Sequence, residues 1–169
     1  MGEQPASPRC GLSVTISRRG AGYLLHSRQW VSAAPEECFE FFADARNLET
    51  LTPAFLRFRI VSPLPIEMRS GARIEYRLSL GGIPLRWLTR IEDWQPGRTF
   101  TDVQLRGPYA EWIHVHRFEP GDTGTWITDE VRYRLPFAPV SSFAHELFVK
   151  PRLVAIFEHR SRAMRFLLP

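Results

Sequence analysis

Three runs of alternating polar and apolar residues hold most of the groups capable of chemistry. They are Phe100-x-Asp102-x-Gln104, Trp112-x-His114-x-His116-x-Phe118 and Ile127-x-Asp129-x-Val131-x-Tyr133. In extended backbone, alternate side chains share one face. Each run therefore presents polar groups among bulky apolar ones, and together they predict a polar stripe of Asp102, Gln104, His114, His116, Asp129 and Tyr133 across an apolar surface. Four kinds of chemistry fit such a stripe. One is a satisfied buried network, since a buried Asp needs a partner and a His on a neighbouring strand supplies one. Another is recognition of the polar part of a ligand in an apolar pocket. A third is acid–base work, with His116 and Asp102 or Asp129 as catalytic candidates and Tyr133 or Gln104 placed to stabilise an enolate. The fourth is a metal held by His114-x-His116 with Asp102 or Asp129 as third ligand. One His-x-His pair is a thin motif, so neither a metal nor a cofactor is assigned from it. No nucleophile, base and oxyanion set is readable from spacing.

Positioning these groups takes a sheet. Residues 23–31 read as a first strand, and 55–61, 72–80, 85–94, 98–106, 110–118 and 125–135 as six more. Gly81-Gly82, Pro96-Gly97, Gly107-Pro108 and Pro120-Gly121 punctuate them, the pattern of an antiparallel meander. Between the first strand and the rest lie two short helices, at 36–43 and 47–51; Ser32 or a neighbour is the expected cap of the first, and Pro35 suits its first turn. From Ser142 onward apolar residues recur in steps of three, four and seven, which predicts a long helix capped at Ser141 or Ser142 and kinked near Leu147 by Pro151. Residues 1–20 lack periodicity and read as a flexible lead-in; 21–169 read as one domain. A sheet with one wet face must cover the other, and only the C-terminal helix is long enough.

The expected fold is thus α+β, a curved antiparallel sheet of about six to seven strands around a long C-terminal helix, with room for a cavity between them. The inward faces add Tyr76 and Trp87 from earlier strands and Leu147 and Phe148 from the helix to the predicted lining, beside Phe100, Asp102, Gln104, Trp112, His114, His116, Asp129 and Tyr133. Arg73, Arg77, Arg86, Arg90, Arg117, Arg132 and Arg134 fall on the opposite faces.

Composition narrows the partners. The net charge is +4, but the basic residues are dispersed rather than clustered, which argues against nucleic acid. Cys10 and Cys38 make no disulfide framework or metal motif. No apolar run reaches the ~18 residues of a membrane span, so stable membrane insertion is not expected. No signal-peptide pattern opens the chain, which points to the cytoplasm. Oligomeric state is not readable.

Several stretches resemble one superfamily. They are Pro35-Glu36-Glu37-Cys38-Phe39-Glu40-Phe41-Phe42-Ala43-Asp44-Ala45-Arg46-Asn47-Leu48, Gly71 to Tyr76, Gly107-Pro108-Tyr109 leading into Trp112 to Phe118, and Gly124-Thr125 through Asp129 to Tyr133. The pattern is similar to the START-like, or SRPBCC, superfamily with the helix-grip fold, in particular its polyketide cyclase/dehydrase and lipid-transport group and its stand-alone bacterial ligand-binding members. The resemblance spans about residues 22–165. It implies a carrier of a small hydrophobic or amphipathic molecule, such as a lipid, quinone or polyketide-like aromatic, or alternatively a cyclase or dehydratase. Fold alone does not separate these. The Rieske-oxygenase branch requires an iron–sulfur partner motif that is not seen.

Overall fold

The computed structural model describes residues 12–137 and 141–168, with side chains from 143 onward in the second stretch. Cys10 and the expected capping side chains of Ser141 and Ser142 lie outside what is described. Eight strands form one antiparallel sheet: β1 (Ser13–Arg19), β2 (Gly22–Val31), β3 (Arg59–Ile60), β4 (Arg73–Leu80), β5 (Ile83–Gln95), β6 (Thr99–Arg106), β7 (Glu111–Pro120) and β8 (Thr125–Arg134). Their order is β1-β2-β8-β7-β6-β5-β4-β3. Helices α1 (Pro35–Ala43) and α2 (Asn47–Leu51) follow β2, and α3 (Ser141–Ala144), a π-helical turn (His145–Val149) and α4 (Lys150–Leu167) follow β8.

Local sequence sets the tight connections. Gly81 and Gly82, both at positive φ, close the β4–β5 hairpin in two residues, the conformation that matches strand twist. Gln95-Pro96-Gly97-Arg98 closes on a 3.0 Å bond from the Arg98 N–H to the Gln95 carbonyl, with Gly97 supplying the positive φ. Within β5 the register shifts twice, at Leu88/Thr89 and between Glu92 and Gln95, where Asp93 also has positive φ. Such irregularities bend and twist a strand, and they curve the sheet over α4.

Four expectations need correction. Residues 13–19, placed in the flexible lead-in, form β1 and pair with β2 along their whole length. The expected strand at 55–61 is reduced to the two residues of β3. Pro53 opens a 3-10 turn over Ala54–Leu56, and Arg57 closes it at φ 45°, so the chain is not extended until Arg59. The N-cap of α1 is Ala34, with no side-chain cap, although Pro35 does occupy the first turn. Finally, Pro151 produces a π turn rather than a simple kink. Proline has no N–H and its ring crowds the carbonyl four residues back; the wider turn absorbs this, with the Lys150 N–H reaching the His145 carbonyl.

Two apolar clusters fill the space between sheet and helices. Phe39, Phe42, Ile91, Phe100, Phe118, Ile127 and Met164 are part of the larger one, packed under α1. Leu25, Val131, Tyr133, Leu153 and Phe157 form the core of the other, where α4 crosses β2 and β8. Next to the second cluster the π turn buries His145 completely. Its Nε2 lies 2.7 Å from the Tyr133 hydroxyl, its Nδ1 lies 3.1 Å from Glu146, and its ring stacks on Tyr23 at 3.5 Å.

Burial lowers the His145 pKa, against the opposing pull of Glu146; Lys150 nearby also lowers it. Tyr23 and Tyr133 are the other titratable groups facing the ring. The unfolded chain, near pKa ~6.5, therefore protonates first. The contribution of neutral His145 to stability is present above that value and is lost as pH falls through it toward the folded-state pKa. Thermal melts from pH 8 to 5 should show the wild type losing more stability than His145→Gln.

Candidate functional site

Strand register builds the site. β7 lies between β6 and β8, and it carries His114 opposite Asp102 and His116 opposite Asp129. All four point to the concave side, and the diagonals are also close. His114 Nε2 is 2.9 Å from Asp129 Oδ1, and His116 Nε2 is 3.0 Å from Asp102 Oδ2. His114 Nδ1 lies 3.3 Å from the same Asp102 oxygen, and His116 Nδ1 lies 2.9 Å from the same Asp129 oxygen. The two imidazole rings are 3.8 Å apart between centroids. From α4, Arg160 reaches over, its Nη2 3.3 Å from Asp129 Oδ1 and donating to His116 Nδ1 at 3.1 Å. Its Nε finds no hydrogen-bond partner among the described residues, and the guanidinium lies 4.7 Å over the Phe42 ring.

Electrostatics follow from this packing. Burial alone would raise both carboxyls. For Asp129 the Arg160 charge and the bonds from His114 and His116 outweigh burial and hold its pKa well below the usual range. Asp102 is likewise lowered, against burial, by His114, His116 and Arg160. His114 is lowered by burial and by its neighbour His116, against the pull of the two carboxylates. The group therefore presents two carboxylates, one guanidinium and at least one imidazole that favours its neutral form.

Above this cluster lies a cavity of about 200 Å³, larger than the ~150 Å³ apolar void that accepts benzene in other proteins. Asp102, His114, His116 and Arg160 form part of its wall. Apolar groups form most of the rest: Phe42, Leu48 and Leu51 from α1 and α2, Ile74, Tyr76, Leu78, Trp87, Ile91, Phe100 and Trp112 from the strands, and Leu153, Ile156 and Phe157 from α4. Thr89 adds a fixed polar point, 3.2 Å from the Tyr76 hydroxyl and accepting from Trp87 Nε1 at 3.0 Å.

A family model described as polyketide cyclase/dehydrase and lipid transport matches residues 31–165. The chain belongs to this family. Solved structures with the same fold include a Rhodobacter sphaeroides protein at 18% identity, covering 92% of this chain and 98% of its own, with TM-score 0.65. Protein Ms6760 from Mycobacterium smegmatis is 17% identical, with the same two coverages and TM-score 0.65. Ginseng major latex-like protein 151 from Panax ginseng is 12% identical, covering 88% of this chain and 99% of its own, with TM-score 0.62. No curated protein is a significant sequence match. At these identities the likeness carries the fold, which is the helix-grip arrangement of an SRPBCC protein.

Within this SRPBCC chain, Tyr76, Trp87, Phe100, Asp102, Trp112, His114 and His116 line the cavity as the strand alternation predicts. Five expected lining residues do not. Asp129 sits behind the imidazoles, 1% exposed. Gln104 turns to the 107–110 loop, where its Nε2 donates to the Tyr109 carbonyl at 2.8 Å. Tyr133 packs in the second core cluster and is bonded to His145. Leu147 and Phe148 are about half exposed, because the π turn rotates them away from the sheet. Sequence reasoning missed Arg160 altogether. Its signal was available: it lies seven residues after Leu153 and three after Phe157, on the apolar stripe of α4.

Arg160 and Asp129 are a buried pair, and removing one member of such a pair leaves the other charge uncompensated. Arg160→Met should therefore lose about 3–5 kcal/mol of stability in urea unfolding near pH 7.5. A loss below ~1 kcal/mol, the range of exposed pairs, would place Arg160 in water instead.

Proposed function

We propose that this SRPBCC protein binds one small hydrophobic or amphipathic molecule in the cavity between sheet and α4. One observation carries the reading: the cavity is walled mainly by rings and aliphatic side chains, with a few polar groups among them, including Asp102, His114, His116, Arg160 and Thr89. That is the usual form of a small-molecule site, where apolar contact supplies affinity and a few polar groups fix orientation. An aromatic or alkyl body would lie against Tyr76, Trp87 and Trp112, and a hydroxyl or carbonyl would face His114, His116 and Arg160. The family's lipid-transport description supports the same class of ligand, and so does the mix of stacked and edge-on rings around Trp87. A lipid, a quinone or a polyketide-like aromatic fits this description.

A second reading is acid–base catalysis on a polyketide-like substrate, supported by the placement of His116 and Asp102 on the cavity wall, 3.0 Å apart. A ketone held there would have a base within reach, the geometric requirement for enolisation or dehydration. Binding comes first in both readings.

Ile156 lines the cavity from α4 and is only half-buried, so a larger residue there fills the cavity at little cost to the core. An environment-sensitive apolar dye such as 1-anilinonaphthalene-8-sulfonate should bind the wild type at one equivalent and be displaced by fatty acids or polyketide-like phenols. Ile156→Trp should lose at least tenfold in dye affinity with its melting temperature within a few degrees of wild type. Equal dye binding by both proteins would place the dye on the surface and remove the support for an internal site.

A further inference from the structure

The cavity side of the cluster has a second geometry. Asp102 Oδ2 lies 3.3 Å from His114 Nδ1 and 3.0 Å from His116 Nε2, and one donor atom from each of the three residues lies within 4.8 Å of the other two. Donors that share one ion at ~2.0–2.2 Å stand about 3–3.5 Å apart. Two of the three edges therefore already have the spacing of a coordination sphere. All three residues line the cavity.

The far sides of both rings meet one carboxylate. His114 Nε2 and His116 Nδ1 are each 2.9 Å from Asp129 Oδ1. Histidines that bind metals generally hold their second nitrogen against a carboxylate or carbonyl, which fixes the ring and its tautomer. Here one buried Asp stands behind both rings and is itself held by Arg160.

We propose that Asp102 Oδ2, His114 Nδ1 and His116 Nε2 bind a divalent first-row transition ion, with Asp129 and Arg160 as outer supports and the remaining coordination positions facing the cavity. Two imidazoles and one carboxylate suit zinc, iron, cobalt, nickel or copper rather than magnesium or calcium, which prefer all-oxygen sites. In the free protein His116 Nε2 shares a hydrogen bond with Asp102. On binding, the ion takes that position, and His116 Nδ1, on the far side of the ring, keeps Asp129 Oδ1 at 2.9 Å. A metal at this point would also give a ligand's oxygen a fixed partner.

The test is titration of chelator-treated, full-length protein with Co²⁺, read by visible absorption and by calorimetry, with Zn²⁺ as competitor. The expected result is one equivalent bound, with d–d bands of a nitrogen- and oxygen-ligated site that Zn²⁺ abolishes. His116→Gln and Asp102→Asn should lose the bands, and Asp129→Asn should bind about 10–100-fold more weakly. His159→Gln, on the outer side of α4 near Thr50, should bind as the wild type does. Near-UV circular dichroism identifies any variant that does not fold, and His114→Gln replaces it. A wild-type protein that takes up no Co²⁺, or bands that persist in the folded ligand variants, would overturn the proposal.

Discussion

Two carboxylates, two imidazoles and a guanidinium meet on the concave side of a sheet whose inner face is otherwise mainly apolar, and each must find its partner among the others. A buried charge without compensation costs several kcal/mol. The register of β6, β7 and β8 meets that demand: Asp102 stands opposite His114 and Asp129 opposite His116. A one-residue slip would turn every one of these groups to the outer face, where Arg117, Arg132 and Glu130 now lie. The cluster and the strand pairing therefore enforce each other. Arg160 extends the constraint to α4, because its contacts with Asp129 and Phe42 tie the helix to the sheet and to α1.

The cavity follows from the mismatch between a curved sheet and a helix. The irregular register of β5 curves the sheet, while Leu153 and Phe157 pack α4 against β2 and β8. The space left between is lined by what alternation already put on the concave face. Family membership and the shared fold place the chain among proteins described by polyketide cyclisation and lipid transport. Chemistry within that range depends on the polar wall, which in this chain is the Asp102–His114–His116 group backed by Asp129.

Much of this was legible in the sequence, for physical reasons. The runs that became β4 to β8 end at Gly or Pro turns and place Asp102, His114, His116 and Asp129 at alternate positions, so their convergence follows from a period of two, although β5 and β6 are locally irregular. β1 was missed because an edge strand with mostly exposed residues carries little apolar alternation. The strand expected at 55–61 failed because Pro53 starts a turn that side-chain alternation does not register. Leu147 and Phe148 were misplaced because the π turn inserts an extra residue and changes the phase of the helix, whereas the apolar stripe was read at constant pitch. Arg160 was passed over because a charged residue on an apolar stripe looks like an exception until its partner on β8 is known.

The central claim is that the cavity holds an apolar molecule. Native mass spectrometry of freshly purified protein, followed by denaturing extraction, tests it most directly. The account predicts a discrete adduct at one equivalent, or one that forms when a fatty acid or aromatic polyketide is added, and that denaturation releases. A mass equal to the bare chain, unchanged in the presence of such molecules at saturating concentration, would contradict it.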